Sequence, residues 1–365
     1  MNGPWGVVRE LSVSHTDPDR VDLLSVLECM GGGASPTEVA TECDACRKTI
    51  YRRLDEFQAI GFVVDDADTG YRTTRAGVKA IAAYRRVATQ TDPTAIAYLA
   101  KSDSRRALLR ALVGGAADKA TLAADDQLPS RATVHRAVAR LDELGWVERT
   151  ADGRFTATQR GAVDLERIDW LVDAIEQTIA KAPALRTMSY WADPPLQALD
   201  GADLVVETPD APHAMLDAAV EAAGIRDGEF HHARTIIPVC IPVLFDLFGR
   251  TTDGTARQQV IFDRRAYRDL THPDRLQYLA DAVLSSNVDV RVHPEPLYTG
   301  LTIFNRETVM VGGSTRHERN AAVVGEPDAL RRWAETTFDD LWAESHLPSG
   351  RVREWLDRAG PSPLG

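Results

Sequence analysis

The stretch SPTEVATECDACRKTIYRRLDEFQAIGFVVDDADTGYRTT, Ser35 to Thr74, decides how the chain is read. Ser35 followed by Pro36 is a helix start: the hydroxyl serves as N-cap, and proline fits the first turn, where no backbone N–H is needed. This helix ends near Cys43, and Asp44-Ala45 supply a turn. In the helix that follows, Ile50, Leu54, Phe57 and Ile60 recur at helical spacing and form one apolar stripe. Arg47, Lys48, Thr49, Tyr51, Arg52 and Arg53 are expected around the remaining surface. The result is a basic face on a helix with a buried back. Gly61 stands where a C-cap is expected, and Phe62-Val63-Val64 and Tyr71-Arg72-Thr73 flank a turn-rich segment that reads as a small hairpin.

The same order returns further on. Thr49 and Thr133, Gly61 and Gly145, and Gly77 and Gly161 each stand 84 positions apart, so helix and hairpin repeat in register. In the second copy, Leu128 to Gly161, Ser130 is the N-cap and Val134, Val138, Leu141 and Leu144 form the stripe. Arg131, Thr133, His135, Arg136 and Arg140 face out, and Asp152-Gly153 turns the hairpin. Both copies resemble the winged helix-turn-helix DNA-binding domains of prokaryotic transcriptional regulators, whose pattern at this point is Ser-Arg-x-Thr-Val-x-Arg, then Leu and Gly. The resemblance implies double-stranded DNA as partner. The second helix of each copy would enter the major groove, with Arg able to pair bidentately with guanine and the hairpin beside the phosphates.

The charge balance is unusual for such a reading. The 365 residues carry a formal net charge of −12, and lysine occurs only at positions 48, 79, 101, 119 and 181, leaving arginine as the main cation. Acidic excess with scarce lysine resembles proteins of salt-loving organisms. In molar salt the Debye length falls to about 3 Å, which screens long-range repulsion from DNA and leaves close contacts. The N-terminal twenty residues lack a basic segment followed by an apolar one, and the longest apolar run, Ile236 to Phe245, is interrupted by Pro238 and Pro242. No secretory signal, no membrane span and a cytoplasmic location are therefore expected. Of the four cysteines, Cys43-Asp-Ala-Cys46 sits at the helix-turn-helix corner and Cys29 ends the preceding helix. These three thiols admit a redox or metal switch, but Cys46 occupies the position of Ser130, and Cys29 and Cys43 suit small buried sites.

The order of elements divides the chain into residues 1–90 and 91–161 as the two winged helices, 162–187 as a connecting helix, 188–345 as an α/β domain and 346–365 as a tail. Residues 1 to about 20 read as a short arm, and the second copy starts with Ala95 to Val113 and turns at Gly114-Gly115. In the connecting helix Leu165, Ile168, Val172, Ile175 and Ile179 alternate at spacings of three and four, the pattern of a coiled-coil seam. A homodimer is expected from it, with packing within the chain as the alternative, and Pro183 is expected to stop the helix. Beyond it strands alternate with helices, including Ile241 to Phe248 and Pro273 to Leu284 as helices, which predicts a mostly parallel sheet. The whole is α+β in its first half and α/β in its second.

The segments ADLVVETPD (Ala202 to Asp210), HARTIIPV (His232 to Val239), VDVRVHPEPLYTGLTIFNRETVMVGG (Val288 to Gly313) and AAVVGEPDALRRWAETTFDDLW (Ala321 to Trp342) resemble the sensor domain of archaeal regulators of the methanogenesis-regulator and TrmB type. That domain is similar to the phospholipase D fold. Phosphodiesterases of this fold use His-x-Lys with an Asp further on. Here the nearest approach is His232-Ala-Arg234, with Val239 in place of the Asp, so no catalytic residues are expected. No dinucleotide or phosphate-loop motif and no metal-ligand spacing occurs, so no cofactor or metal is expected. At the carboxyl ends of the strands, Asp263 and Arg264 beside Arg265, and His293, Glu295 and Tyr298, form the candidate site for a hydroxylated or anionic small-molecule effector. The sequence thus reads as a DNA-binding transcriptional regulator controlled by a metabolite. A phospholipase D-like phosphodiesterase and an architectural DNA-binding protein without effector are the alternatives.

Overall fold

The computed structural model describes residues 3–15, 17, 20–31, 33–125, 128, 130–239, 256–272, 287–313 and 320–348. The chain divides into two compact units, Met1–Ala182 and Pro183–Gly365. The helices expected at Ile241 to Phe248 and Pro273 to Leu284, Cys240 and most of the tail lie outside the described residues.

The first unit opens with α1 (Pro4–Leu11), which corrects the expectation of an arm. Val7, Val8 and Leu11 of this helix are buried, and burial of three large aliphatic groups outweighs the weak propensity of so short a segment. Then follow α2 (Leu23–Met30), α3 (Pro36–Glu42), α4 (Arg47–Ala59), the hairpin β1 (Val63–Asp66) and β2 (Gly70–Thr73), and α5 (Arg75–Ala88). At the start of α3, Ser35 Oγ accepts from the Glu38 N–H at 3.3 Å and Glu38 accepts from the Ser35 N–H at 2.8 Å, a closed capping box. The second copy comprises α6 (Pro93–Ala100), α7 (Asp103–Gly114), α8 (Lys119–Ala124), α9 (Arg131–Glu143) and the hairpin β3 (Val147–Arg149) and β4 (Phe155–Ala157). The opening stretch of this copy forms two helices, α6 and α7, broken at Lys101-Ser102, and the Arg106 guanidinium donates to the Leu99 carbonyl at 2.8 Å across the break.

The repeat extends to hydrogen bonds. Thr74 Oγ1 donates to the Gly61 carbonyl at 2.6 Å, and Thr158 Oγ1 donates to the Gly145 carbonyl at 2.8 Å. Gly61 and Gly145 have φ of 77° and 71°, the left-handed conformation a helix-ending glycine supplies. At Gly77 and Gly161 a Cβ would stand 2.5 Å and 2.2 Å from the carbonyl oxygens of Phe62 and Trp146, so only glycine lets the next helix lie against each hairpin.

The helix α10 (Gln159–Leu185) closes the second copy and continues past 162 without a break. Pro183 falls in its last turn rather than ending it, at the loss of the hydrogen bond its N–H would have given the carbonyl of Ile179. Along its length Asp169 pairs with Arg110 at 2.5 Å, Trp170 lies under the Arg86 guanidinium at 4.7 Å, and Ala182 abuts Gly61. The helix therefore lies along both copies.

The second unit holds α11 (Leu196–Leu199), α12 (Ala214–Ala222), α13 (Arg264–Leu270) and α14 (Asp328–Glu344) with a seven-stranded sheet of β5 (Asp203–Val206), β6 (His232–Ile237), β7 (Arg257–Asp263), β8 (Val288–His293), β9 (Thr299–Phe304), β10 (Thr308–Gly313) and β11 (Ala321–Gly325). Strand order is β5-β11-β10-β9-β6-β7-β8. Among the described residues only β6, β7 and β8 run parallel to one another; the other pairings are antiparallel, which corrects the mostly parallel sheet. The reason is local. Asn305 and Arg306 both adopt positive φ, and Glu307 N–H donates to the Phe304 carbonyl at 2.9 Å, so β9 turns directly into β10 with no crossover helix. Among the described residues no helix is long and apolar enough to cross a membrane.

Candidate nucleic-acid interface

The helices α4 and α9 have the same length and the same offset of 84 residues, and each turns its apolar stripe inward. Ile50, Leu54 and Phe57 in one, and Val134, Val138 and Leu141 in the other, are fully buried. The outer surface is cationic over the first two turns of each helix, with exposed Asp55, Asp142 and Glu143 only further along. Arg47, Lys48, Tyr51 and Arg52 are exposed on α4, and Arg131, His135 and Arg136 on α9. Thr49 and Thr133 are half-buried near the helix starts, each beside its N-cap side chain: Thr49 Oγ1 is 3.1 Å from Cys46 Sγ and Thr133 Oγ1 is 3.3 Å from Ser130 Oγ. Arg140 is half-buried and paired with Glu143 at 2.7 Å, which leaves it less free than its neighbours.

Arg53 does not join this face. It is 5% exposed and ion-paired with Glu10 of α1, and burial pushes its guanidinium down to about 10. Position 53 lies three residues after Ile50 and four before Phe57, at the edge of the inward stripe. Its counterpart in the second copy is Ala137, buried and apolar, a signal the repeat already contained.

The three cysteines differ from one another, and Cys29, expected in a small buried site, is exposed instead on the outer side of α2. Cys43 is buried, and desolvation with nearby Asp22 and Glu42 raises its thiol to about 11. Cys46 is exposed, and hydrogen bonds from Thr49 lower its thiol below the ordinary range. Among the described residues no group of His, Cys, Asp and Glu is arranged to hold a metal.

Leu165, Ile168, Val172 and Ile175 are buried within the single chain, and Ile179 is half-buried. This corrects the dimer seam: the stripe faces the protein's own core, and contacts from Trp170 and Asp169 widen the covered face beyond what a two-residue seam needs.

In the second unit the parallel strands bring Asp263 and His293 side by side at their carboxyl ends. Asp263 is 1% exposed and its carboxylate accepts from the N–H groups of Arg265 and Ala266 at 2.8 Å and of Leu297 at 3.1 Å. It is the N-cap of α13 and the anchor of a loop, so its acceptor positions serve the fold, which corrects its assignment to the effector site. His293 is buried between the Glu295 backbone and the Glu344 carboxylate, 3.4 Å away. Arg264, Glu295 and Tyr298 are exposed. Tyr298, with φ of 60°, lies beneath the Arg265 guanidinium at 4.4 Å and accepts a hydrogen bond from it at 2.6 Å. His232 and Arg234 head β6. Burial and nearby arginines lower the His232 imidazole, while the Arg234 guanidinium is taken up by Asp339, by Gln259 at 3.1 Å and by the Phe338 ring at 4.3 Å.

Family models match both units. Residues 10–92 and, separately, 93–179 match the HVO_A0261 N-terminal domain. One domain family matches twice, in tandem. Residues 212–344 match the middle domain of the methanogenesis regulatory protein FilR1. Comparison with curated proteins finds no match. Solved structures with partial similarity include TrmBL2, an archaeal chromatin protein described as showing a novel mode of DNA binding, at 14% identity over 67% of this chain and 95% of that one, with a TM-score of 0.30. Others are the phospholipase D family member Nuc from Salmonella typhimurium (16% identity, 40% and 97% covered, TM-score 0.31) and NucT from Helicobacter pylori (10%, 40% and 96%, 0.32).

Proposed function

We propose that the chain is a DNA-binding transcriptional regulator whose tandem winged helices read the duplex and whose α/β unit takes an effector without performing catalysis. The observation that carries this reading is the pair of equal helices, α4 and α9, each sealed on one side and cationic along the outer face of its first two turns. Guanidinium groups held at the start of a helix suit both phosphate and the guanine edge in the major groove. The FilR1 domain match over 212–344 supports the regulatory part. A chain with two such helices does not need a second copy to engage two successive half-sites, which fits the burial of the expected seam.

The non-catalytic part rests on Arg234. Its guanidinium is committed to Asp339, Gln259 and Phe338, and no lysine stands beside His232 to neutralise a phosphoryl group. Effector binding is supported by Arg264, Glu295 and the Arg265–Tyr298 pair, which are exposed at the carboxyl ends of parallel strands. The test is selection from a randomised duplex library. Recovery of one enriched motif is the expected result; capture of all sequences alike would favour an architectural DNA-binding protein, and capture of none would refute DNA binding.

A further inference from the structure

The two copies agree in their helices and differ in their hairpins. In the first, the hairpin carries Asp65, Asp66 and Asp68, of which Asp65 and Asp68 are exposed and Asp66 is half-exposed. Asp66 Oδ1 accepts from the N–H groups of Asp68 at 3.0 Å and Thr69 at 3.2 Å, which closes the tip and holds this carboxyl below the usual carboxylate range. The tip is therefore built around an ionised carboxylate with two more beside it. In the second copy the hairpin exposes Arg149 and Arg154 beside Glu148 and Asp152, so its charges balance where those of the first wing, with Arg72 as its exposed cation, leave a negative excess. Arg154 is shaped by the wing itself: it pairs with Asp152 at 2.6 Å and donates to the Ala116 carbonyl at 3.3 Å, while Arg149 donates to the Gly153 carbonyl at 3.3 Å. Both guanidinium groups keep further N–H donors.

Resting on the DNA-binding reading above, we infer that the two wings are not equivalent on DNA: the second, through Arg149 and Arg154, touches the phosphate backbone, and the first is kept off it by Asp65, Asp66 and Asp68. A wing beside the groove meets phosphate at close range, where like charges repel even in strong salt and an arginine fork gains paired hydrogen bonds. The first copy then contributes its helix alone, by Arg47, Lys48 and Arg52, and lies on the duplex at a different tilt from the second. The outer faces of the two helices differ as well, Lys48 and Tyr51 standing where the second copy has Ala132 and His135, so the chain distinguishes the two ends of its site and reads an oriented, non-palindromic sequence.

The test is the salt dependence of binding to a fluorescein-labelled duplex of arbitrary sequence, followed by anisotropy across a KCl series with the full chain. Each phosphate that the protein ceases to neutralise lowers the slope of log Kobs against log salt by about 0.9, so Arg149→Ala with Arg154→Ala should reduce it by about 1.8. The charge-retaining pair Arg149→Lys with Arg154→Lys should keep the wild-type slope, which separates removal of the two cations from damage to the fold. Arg72→Ala, which removes the exposed cation of the first wing, should leave the slope unchanged, whereas Asp65→Asn with Asp66→Asn and Asp68→Asn removes the repulsion and should tighten binding at low salt; unchanged binding in this triple variant would overturn the role given to the carboxylates. An unchanged slope in the Arg149/Arg154 alanine pair, or a reduced slope in Arg72→Ala, would overturn the inference while leaving DNA binding intact. A wild-type chain that binds no duplex at any salt would overturn the DNA-binding reading itself, and this inference with it.

Discussion

Trp146 donates its indole N–H to Asp164 Oδ2 at 2.8 Å, and the pair fastens the second wing to the long helix α10. The other carboxylate oxygen accepts from Thr91 Oγ1 at 2.9 Å, in the junction between the two copies, and from Arg167 at 2.9 Å. One residue, 1% exposed, thus ties together the wing, the junction and the helix that runs along both domains. Asp164→Ala would leave a buried indole N–H and a buried hydroxyl without acceptors, at a cost of about 2–4 kcal/mol to the first unit. Asp164→Asn, which keeps one acceptor, should lose less. Chemical denaturation followed by tryptophan fluorescence measures both, and a loss below about 1 kcal/mol in the alanine variant would contradict this role.

Ile168 and Ile175 are fully buried in the single chain, which changes what their substitution should do. Ile168→Asp with Ile175→Asp places two carboxylates in the core and should lower stability by more than about 4 kcal/mol, or prevent folding. Thermal melting with light scattering on the same samples checks this. A stable, folded monomer obtained from a dimeric wild type would instead show that the stripe is an interface between copies.

The two corner thiols should react at different rates. Cys46 is exposed with a lowered thiol, so its alkylation rate should rise through a midpoint below the ordinary thiol range; Cys43, buried and raised to about 11, should remain protected until the chain unfolds. Iodoacetamide labelling across pH with peptide mapping distinguishes them. Equal labelling of both in the native protein would point to an open corner and revive the paired-thiol reading.

Much of this arrangement was legible because the repeat made its own control. An offset of 84 that aligned Thr49 with Thr133 and Gly77 with Gly161 also aligned the hydrogen bonds of Thr74 and Thr158. The same comparison would have removed Arg53 from the outer face, since Ala137 stands in its place. Other features depend on tertiary partners that no local pattern reveals. Glu10 selects Arg53 from a helix some forty residues away, and Asp263 is occupied by the backbone of Leu297, so charged residues that looked available are internal. The antiparallel half of the sheet was hidden for a different reason: strand spacing does not report direction unless the turn is recognised, and Asn305-Arg306 lacks the glycine that usually marks such a turn.

The central claim is that the outer faces of α4 and α9 recognise specific DNA. It is tested most directly by mapping genome-wide binding of the wild-type chain beside the double variant Arg52→Ala with Arg136→Ala, two exposed positions whose loss should leave the fold intact. Each arginine that reads a base contributes about 1–3 kcal/mol of discrimination, so discrete wild-type sites should fall to background in the variant. A variant that occupies the same sites at the same strength, or a wild type with no discrete sites, would contradict the account.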